Sequence, residues 1–121
     1  NINTSGDKNI SYLIKNKLNF GSKEKVNQLE IEIFSEKLKT IKEKNIANEI
    51  TKYEIKIVLN VKYRALPDGA SNNFIISKYG DFDVTAEHLN TLNNEKKLVE
   101  VLVNKVIEEI LFRISVKLND L

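Results

Sequence analysis

Asp81, Asp83, Glu87 and His88 are the residues whose types and spacing could do chemistry in this chain. Asp81 and Asp83 alternate along an extended segment and so share one face of it. The polar stretch that follows carries Glu87 and His88. Hard carboxylate oxygens with one imidazole suit a divalent cation, and a bound cation would support hydrolysis. The plainer reading weighs more: a polar strand face running into a wet loop produces the same residues. His88 is the single histidine of the chain and no cysteine is present, so histidine-based or thiolate catalysis has little to stand on. The four glycines are isolated, and none opens a phosphate-cradling loop. The expectation is a protein that is not an enzyme, with no catalytic residue, no metal and no cofactor.

The lysines form the second candidate. Lys52, Lys56, Lys62 and Arg64 line one side of a long alternating segment, and Lys37, Lys39, Lys42 and Lys44 crowd the stretch before it. Read as structure, they make a solvated sheet face interspersed with Glu49 and Glu54. Read as function, they make a patch that meets a phosphorylated glycolipid or an acidic partner, with lysine as a mobile point charge for phosphate. The 19 basic and 17 acidic residues leave a net charge of only +2. Arg64 and Arg113 are the only guanidinium forks, and the basic residues are spread over the whole chain. A nucleic-acid footprint is denser than this, so no nucleic acid is expected.

Composition bounds the rest. With 121 residues, 41% apolar and 30% charged, the chain reads as one ordinary globular domain. No apolar run is long enough to span a membrane. The absence of methionine, with Asn1 at the start, points to a processed or trimmed chain, so any contact with a membrane would come through a missing N-terminal segment.

The elements that must position these residues follow from periodicity. Tyr53, Ile55, Ile57, Leu59, Val61, Tyr63 and Ala65 alternate with Lys52, Glu54, Lys56, Asn60, Lys62 and Arg64, which predicts a long strand with one wet face. Leu29, Ile31 and Ile33 alternate with Gln28, Glu30 and Glu32, giving a strand over 27–39. A third strand is expected over 72–84, where Phe74, Ile76, Phe82 and Val84 share a parity interrupted by Lys78 and Gly80. Leu66-Pro67-Asp68-Gly69 is the clearest turn. The polar stretch 36–48 reads as a hairpin connection.

Ser5-Gly6-Asp7 reads as a turn ending in a helix cap, with a short amphipathic helix over 8–18. Asn1–Asn3 reads as the tail of an extended segment. Thr85–Asn94 is a polar connector, followed from Asn93 or Asn94 to Leu118 by a long helix. Its stripe of Leu98, Val99, Leu102, Val103, Val106, Ile107, Ile110, Leu111 and Ile114 recurs at helical spacing. A sheet with one apolar face needs a cover, and this helix supplies it. The predicted fold class is therefore α+β: a two-layer sandwich in which an antiparallel sheet of three to four strands is covered on one face by a short N-terminal and a long C-terminal helix.

The order and spacing of these segments resemble a known family. Ser5-Gly6-Asp7 opens a short helix, Tyr53-Glu54-Ile55 starts a long strand, and Leu66-Pro67-Asp68-Gly69 turns it. Tyr79-Gly80-Asp81-Phe82-Asp83 ends the next strand, and Asn94-Glu95-Lys96 leads a Leu/Ile/Val helix. Together they resemble LptE, the outer-membrane lipopolysaccharide-assembly lipoproteins. The likeness rests on patterning across most of the chain.

The resemblance implies a lipoprotein on the periplasmic side of the outer membrane, anchored through a lipidated N-terminal segment absent from this sequence. It also implies a place as a plug inside an LptD-type β-barrel, assistance in barrel assembly, and contact with lipopolysaccharide. A plug needs a compact body with polar faces suited to a wet barrel lumen. By this resemblance Lys44, Lys52, Lys96 and Lys97 are candidate lipopolysaccharide contacts, with Thr91 near a position where the family carries a basic residue. The competing reading in the same class is a periplasmic lipoprotein adaptor of another envelope machine, such as one serving cell-wall synthesis.

Overall fold

The structure, a computed structural model, describes residues 2–18, 29–66 and 69–119. Six elements follow one another: β1 (Ile2–Gly6), α1 (Lys8–Lys17), β2 (Leu29–Lys44), β3 (Ile50–Ala65), β4 (Ser71–Asp83) and α2 (His88–Asn119). They form the expected α+β two-layer sandwich. The sheet has the order β1-β2-β3-β4, and both helices contribute to one apolar core against it.

Alternation decides the layers. Ile31 and Ile33 of β2 and Ile55, Ile57, Leu59 and Val61 of β3 are buried, with Ile76 and Phe82 of β4 beside them. From the helices come Ile10 and Ile14 of α1 and Leu102, Val103, Val106, Ile110 and Ile114 of α2. Each fully buried aliphatic side chain of this kind stabilises the fold by about 1.5–3 kcal/mol before conformational entropy is charged against it.

β2, β3 and β4 pair antiparallel, as the pattern requires, but β1 pairs parallel to β2, with Ile2 opposite Ile31 and Gly6 opposite Ser35. The reason is the connection. α1 lies between β1 and β2, and a strand that returns through a helix comes back in the same direction. The extended tail expected at the N-terminus is thus a real edge strand, which makes the sheet mixed. Asp7 caps α1 as expected: its carboxylate accepts the Ile10 amide at 2.9 Å.

Two boundaries differ from the sequence reading. β2 runs through to Lys44, so the connection shrinks to Asn45–Glu49. There Asn48 adopts φ 64° and the Asn45 side chain accepts the Glu49 amide at 2.9 Å. Beyond Ser35, β2 has β3 alone beside it and is wet on both faces, so no alternation marks it. α2 starts at His88 rather than Asn93 or Asn94. Its first turns are solvent-facing, with Leu89 and Leu92 exposed, and they are held by polar knots instead of burial. Thr91 Oγ1 accepts the Thr85 amide at 2.9 Å, and the Thr85 hydroxyl donates to the Glu87 carbonyl at 2.8 Å. Gly80 marks no bulge, since the β3–β4 register is continuous there. Instead α2 presses on it: a methyl group at Gly80 would lie 2.8 Å from Leu98 Cδ1. Of the expected turn at Leu66–Gly69, Pro67 and Asp68 lie outside the described residues, as do Gln28 and the start predicted for β2.

Candidate docking surfaces

The acidic candidates lie where the pattern put them, and lysines engage them. Asp81 and Asp83 project from the open face of the sheet, away from the helices. Lys42 Nζ lies 2.9 Å from Asp81 and 3.7 Å from Glu54, while Lys52 Nζ lies 3.7 Å from Asp83 and 3.9 Å from Glu43. The Lys42 hydrogen bond holds the Asp81 carboxyl below its ordinary range, and the same contact raises the Lys42 ammonium. Glu87 accepts a hydrogen bond from the Asn90 side chain at 3.2 Å, and His88 is exposed at the first position of α2. Among the described residues no three histidine or acidic side chains come together to hold a metal ion.

The four lysine candidates fall into separate places. Lys44 is the last residue of β2, exposed beside the hairpin tip. Lys52 sits on the open face in its two ion pairs. Lys96 lies on the opposite, helical layer. There it lines a groove of about 340 Å³ between α1 and α2 with Tyr12, Leu13, Lys37, Leu92 and Val99. Lys97 is exposed one position before Leu98. The sheet therefore separates Lys52 from Lys96, and the four do not converge on one site. Thr91, at the expected basic position, is occupied in the Thr85–Glu87 knot.

Glu95 sits at the centre of a denser arrangement. It accepts Lys39 Nζ at 2.6 Å and Lys37 Nζ at 3.1 Å, while the Lys39 ammonium lies 4.5 Å from the Tyr53 ring centroid and 5.5 Å from that of Phe82. Burial pushes the Glu95 carboxyl up, but the hydrogen bonds from Lys39 and Lys37 outweigh it and hold the group below its ordinary value. This cluster ties the N-terminal turns of α2 to the end of β2 that β1 leaves uncovered.

The open face of the sheet holds the feature that sequence reasoning missed. Its polar ends enclose an apolar middle. Phe34, Asn60 and Ile75 form one cross-strand row, Glu36, Val58 and Ser77 the next, and Leu38, Lys56 and Tyr79 the third. Apolar side chains thus occupy the four corners and the centre of this block. Phe34 is 47% exposed, Leu38 46%, Ile75 62% and Tyr79 68%. The signal was present as breaks in alternation: Phe34, Leu38, Val58, Ile75 and Tyr79 each stand at a position whose strand parity is otherwise polar. A patch of this kind, rimmed by charges, is the mark of an interaction surface. A second groove, of about 430 Å³, opens where α2 meets the outer strand and is lined by Phe74, Phe112, Arg113 and Val116 with Asn72, Asn73 and Tyr63.

No protein-family model matches the chain, and no curated protein matches its sequence. Solved structures do match its fold. The rare lipoprotein B of Shewanella oneidensis superposes with a TM-score of 0.70 at 12% identity, covering 96% of this chain and 94% of that one. A protein from Caulobacter crescentus CB15 described as a lipoprotein superposes with a TM-score of 0.67 at 12% identity, covering 98% of this chain and 90% of the other. The chain has the fold of these lipoproteins. Each likeness spans nearly the whole of both molecules.

Proposed function

We propose that this chain is an envelope lipoprotein that works by docking, and that it is the LptE-type companion of an outer-membrane β-barrel. In this reading it is non-enzymatic. It stands on the periplasmic side of the outer membrane, fills and helps to assemble an LptD-type barrel, and contacts lipopolysaccharide in transit. The observation that carries the proposal is the fold shared with two lipoproteins over almost their entire length. The surface supports it. An apolar block on the open face of the sheet, rimmed by ion pairs, suits a flat protein contact better than a small substrate. Asp81 and Asp83, two of the acids that could have held a metal, are paired with Lys42 and Lys52.

The test is affinity purification of the full-length tagged protein from its own outer membrane. Recovery of a β-barrel protein in constant ratio is expected. Recovery of a cell-wall synthase instead would place the chain with another envelope machine, and recovery of neither would overturn the docking reading.

A further inference from the structure

We propose that β4 is a self-pairing edge: a second copy of the chain adds antiparallel through its own β4, about a two-fold axis at Ser77, doubling the sheet. β4 is the outer strand of the order β1-β2-β3-β4, and it is thirteen residues long. That leaves an edge of about 44 Å whose outward backbone groups have no strand partner among the described residues. The usual protections of such an edge are weak here. β4 contains no proline and no bulge, and its one lysine, Lys78, is turned back onto Glu109 at 2.8 Å.

The strand is complementary to itself. Ser77 is the midpoint of Ser71–Asp83, so an antiparallel register about it pairs all thirteen residues. In that register Asn73 faces Asp81 of the copy, an amide donor against a carboxylate. Ile75 faces Tyr79, a β-branched residue against an aromatic ring, which is a favourable cross-strand pair. No two like charges meet, whereas a register about Lys78 would oppose two ammonium groups and one about Phe82 would oppose Asp81 to Asp83.

Both layers reinforce the same edge. On the open face Ile75 and Tyr79, both exposed, would join their counterparts into one apolar strip across the axis. On the helical face Phe112 is 68% exposed and Val116 45%, and both border Phe74 in the groove beside β4. These are the side chains that an incoming strand would cover.

The proposal does not depend on the barrel reading, and purified protein alone tests it. These 121 residues contain no cysteine, so Ser77→Cys places a single thiol in the domain. Across an antiparallel pair, equivalent Cα atoms at the axis lie about 4.5–5.5 Å apart, within disulfide reach. The expected result is a species of twice the chain mass in sedimentation of the unmodified protein between micromolar and millimolar concentration, and a covalent dimer of Ser77→Cys on mild oxidation. Asn60→Cys, on β3, should not cross-link, because across the axis the two β3 strands stand three strand spacings apart, about 14 Å. Ile75→Lys with Tyr79→Lys should return the protein to monomer with an unchanged circular-dichroism spectrum, since it places ammonium groups opposite one another. A monomer at every concentration would overturn the proposal. So would a dimer that cross-links through Asn60→Cys and not through Ser77→Cys, which would mean that the open faces, not the edges, meet.

Discussion

Gly6 and Ser35 stand opposite each other in the parallel β1–β2 pair, so close that a side chain on Gly6 would collide with the Ser35 carbonyl. Gly6 also takes φ +92°, a conformation that L-residues rarely adopt. Ser35, the one buried polar residue among those described, completes the junction. Its carbonyl accepts the Asp7 amide at 2.9 Å and its hydroxyl donates to the Ser5 carbonyl at 3.2 Å. The pair fixes the point where the edge strand turns into α1.

Gly6→Ala should therefore destabilise the domain by about 2–3 kcal/mol, combining left-handed strain with a backbone collision that cannot relax. Ser35→Ala should cost about 1 kcal/mol, the usual loss for one hydrogen bond in this setting. Urea unfolding followed by circular dichroism measures both.

Gly80→Ala should behave differently, although it also meets a close neighbour. The atom in its way is Leu98 Cδ1 at 2.8 Å, the far end of a side chain that can rotate, and the Gly80 backbone is ordinary extended strand. A change within about 1 kcal/mol of zero is expected, because removing glycine from a strand interior offsets the displacement of Leu98. The same unfolding experiment separates the two glycines.

Stability should fall in acid through Glu95. Its folded carboxyl titrates below its ordinary value of 4.5, so the contribution of its contacts with Lys39 and Lys37 is fully present above that value. It is lost as pH falls through the lower, folded value. Glu95→Gln should flatten that part of the profile while lowering stability at neutral pH, read from urea midpoints across the acid range.

A charge placed at Val103 should unfold the domain. The side chain is 0% exposed in the core between α2 and the sheet. Val103→Lys leaves an unpaired ammonium there, at a cost of about 3–5 kcal/mol, a large part of the stability of a domain this size. Loss of the cooperative thermal transition is the expected readout.

Charge reversal at Lys44 with Lys52 tests the glycolipid contact. Both lie toward the hairpin end of the sheet, Lys44 exposed and Lys52 partly buried between Glu43 and Asp83, so Lys44→Glu with Lys52→Glu should lower stability by about 1 kcal/mol. Binding to lipopolysaccharide, measured by co-sedimentation, should weaken more than binding to the barrel. Equal loss of both would mean that the fold had been damaged.

What could be read from the sequence follows from burial. β3, the front of β2 and the stripe of α2 were visible because each puts one face into the core, and burial writes a period into the residues. The far half of β2 and the first turns of α2 were not, because lysine pairs and threonine hydroxyls hold them at the surface without any period. The parallel pairing of β1 was hidden in five residues too short to show a pattern. The acids at Asp81 and Asp83 were visible as a pair, but their lysine partners come from Lys42 and Lys52 on other strands, a matter of register that spacing alone does not give. The apolar block on the open face was written only as single exceptions to alternation, which become a patch once three strands are laid side by side.

If this protein acts by fitting against an outer-membrane barrel, photo-cross-linking should capture the contact. A photoreactive residue in place of Val58, at the centre of the open-face block, is introduced into the full-length protein in its own envelope. A covalent adduct with a β-barrel protein is expected, lost when the same probe replaces buried Val103. Adducts with other envelope proteins alone, or none from Val58 or from any other exposed position of the open face, would contradict it.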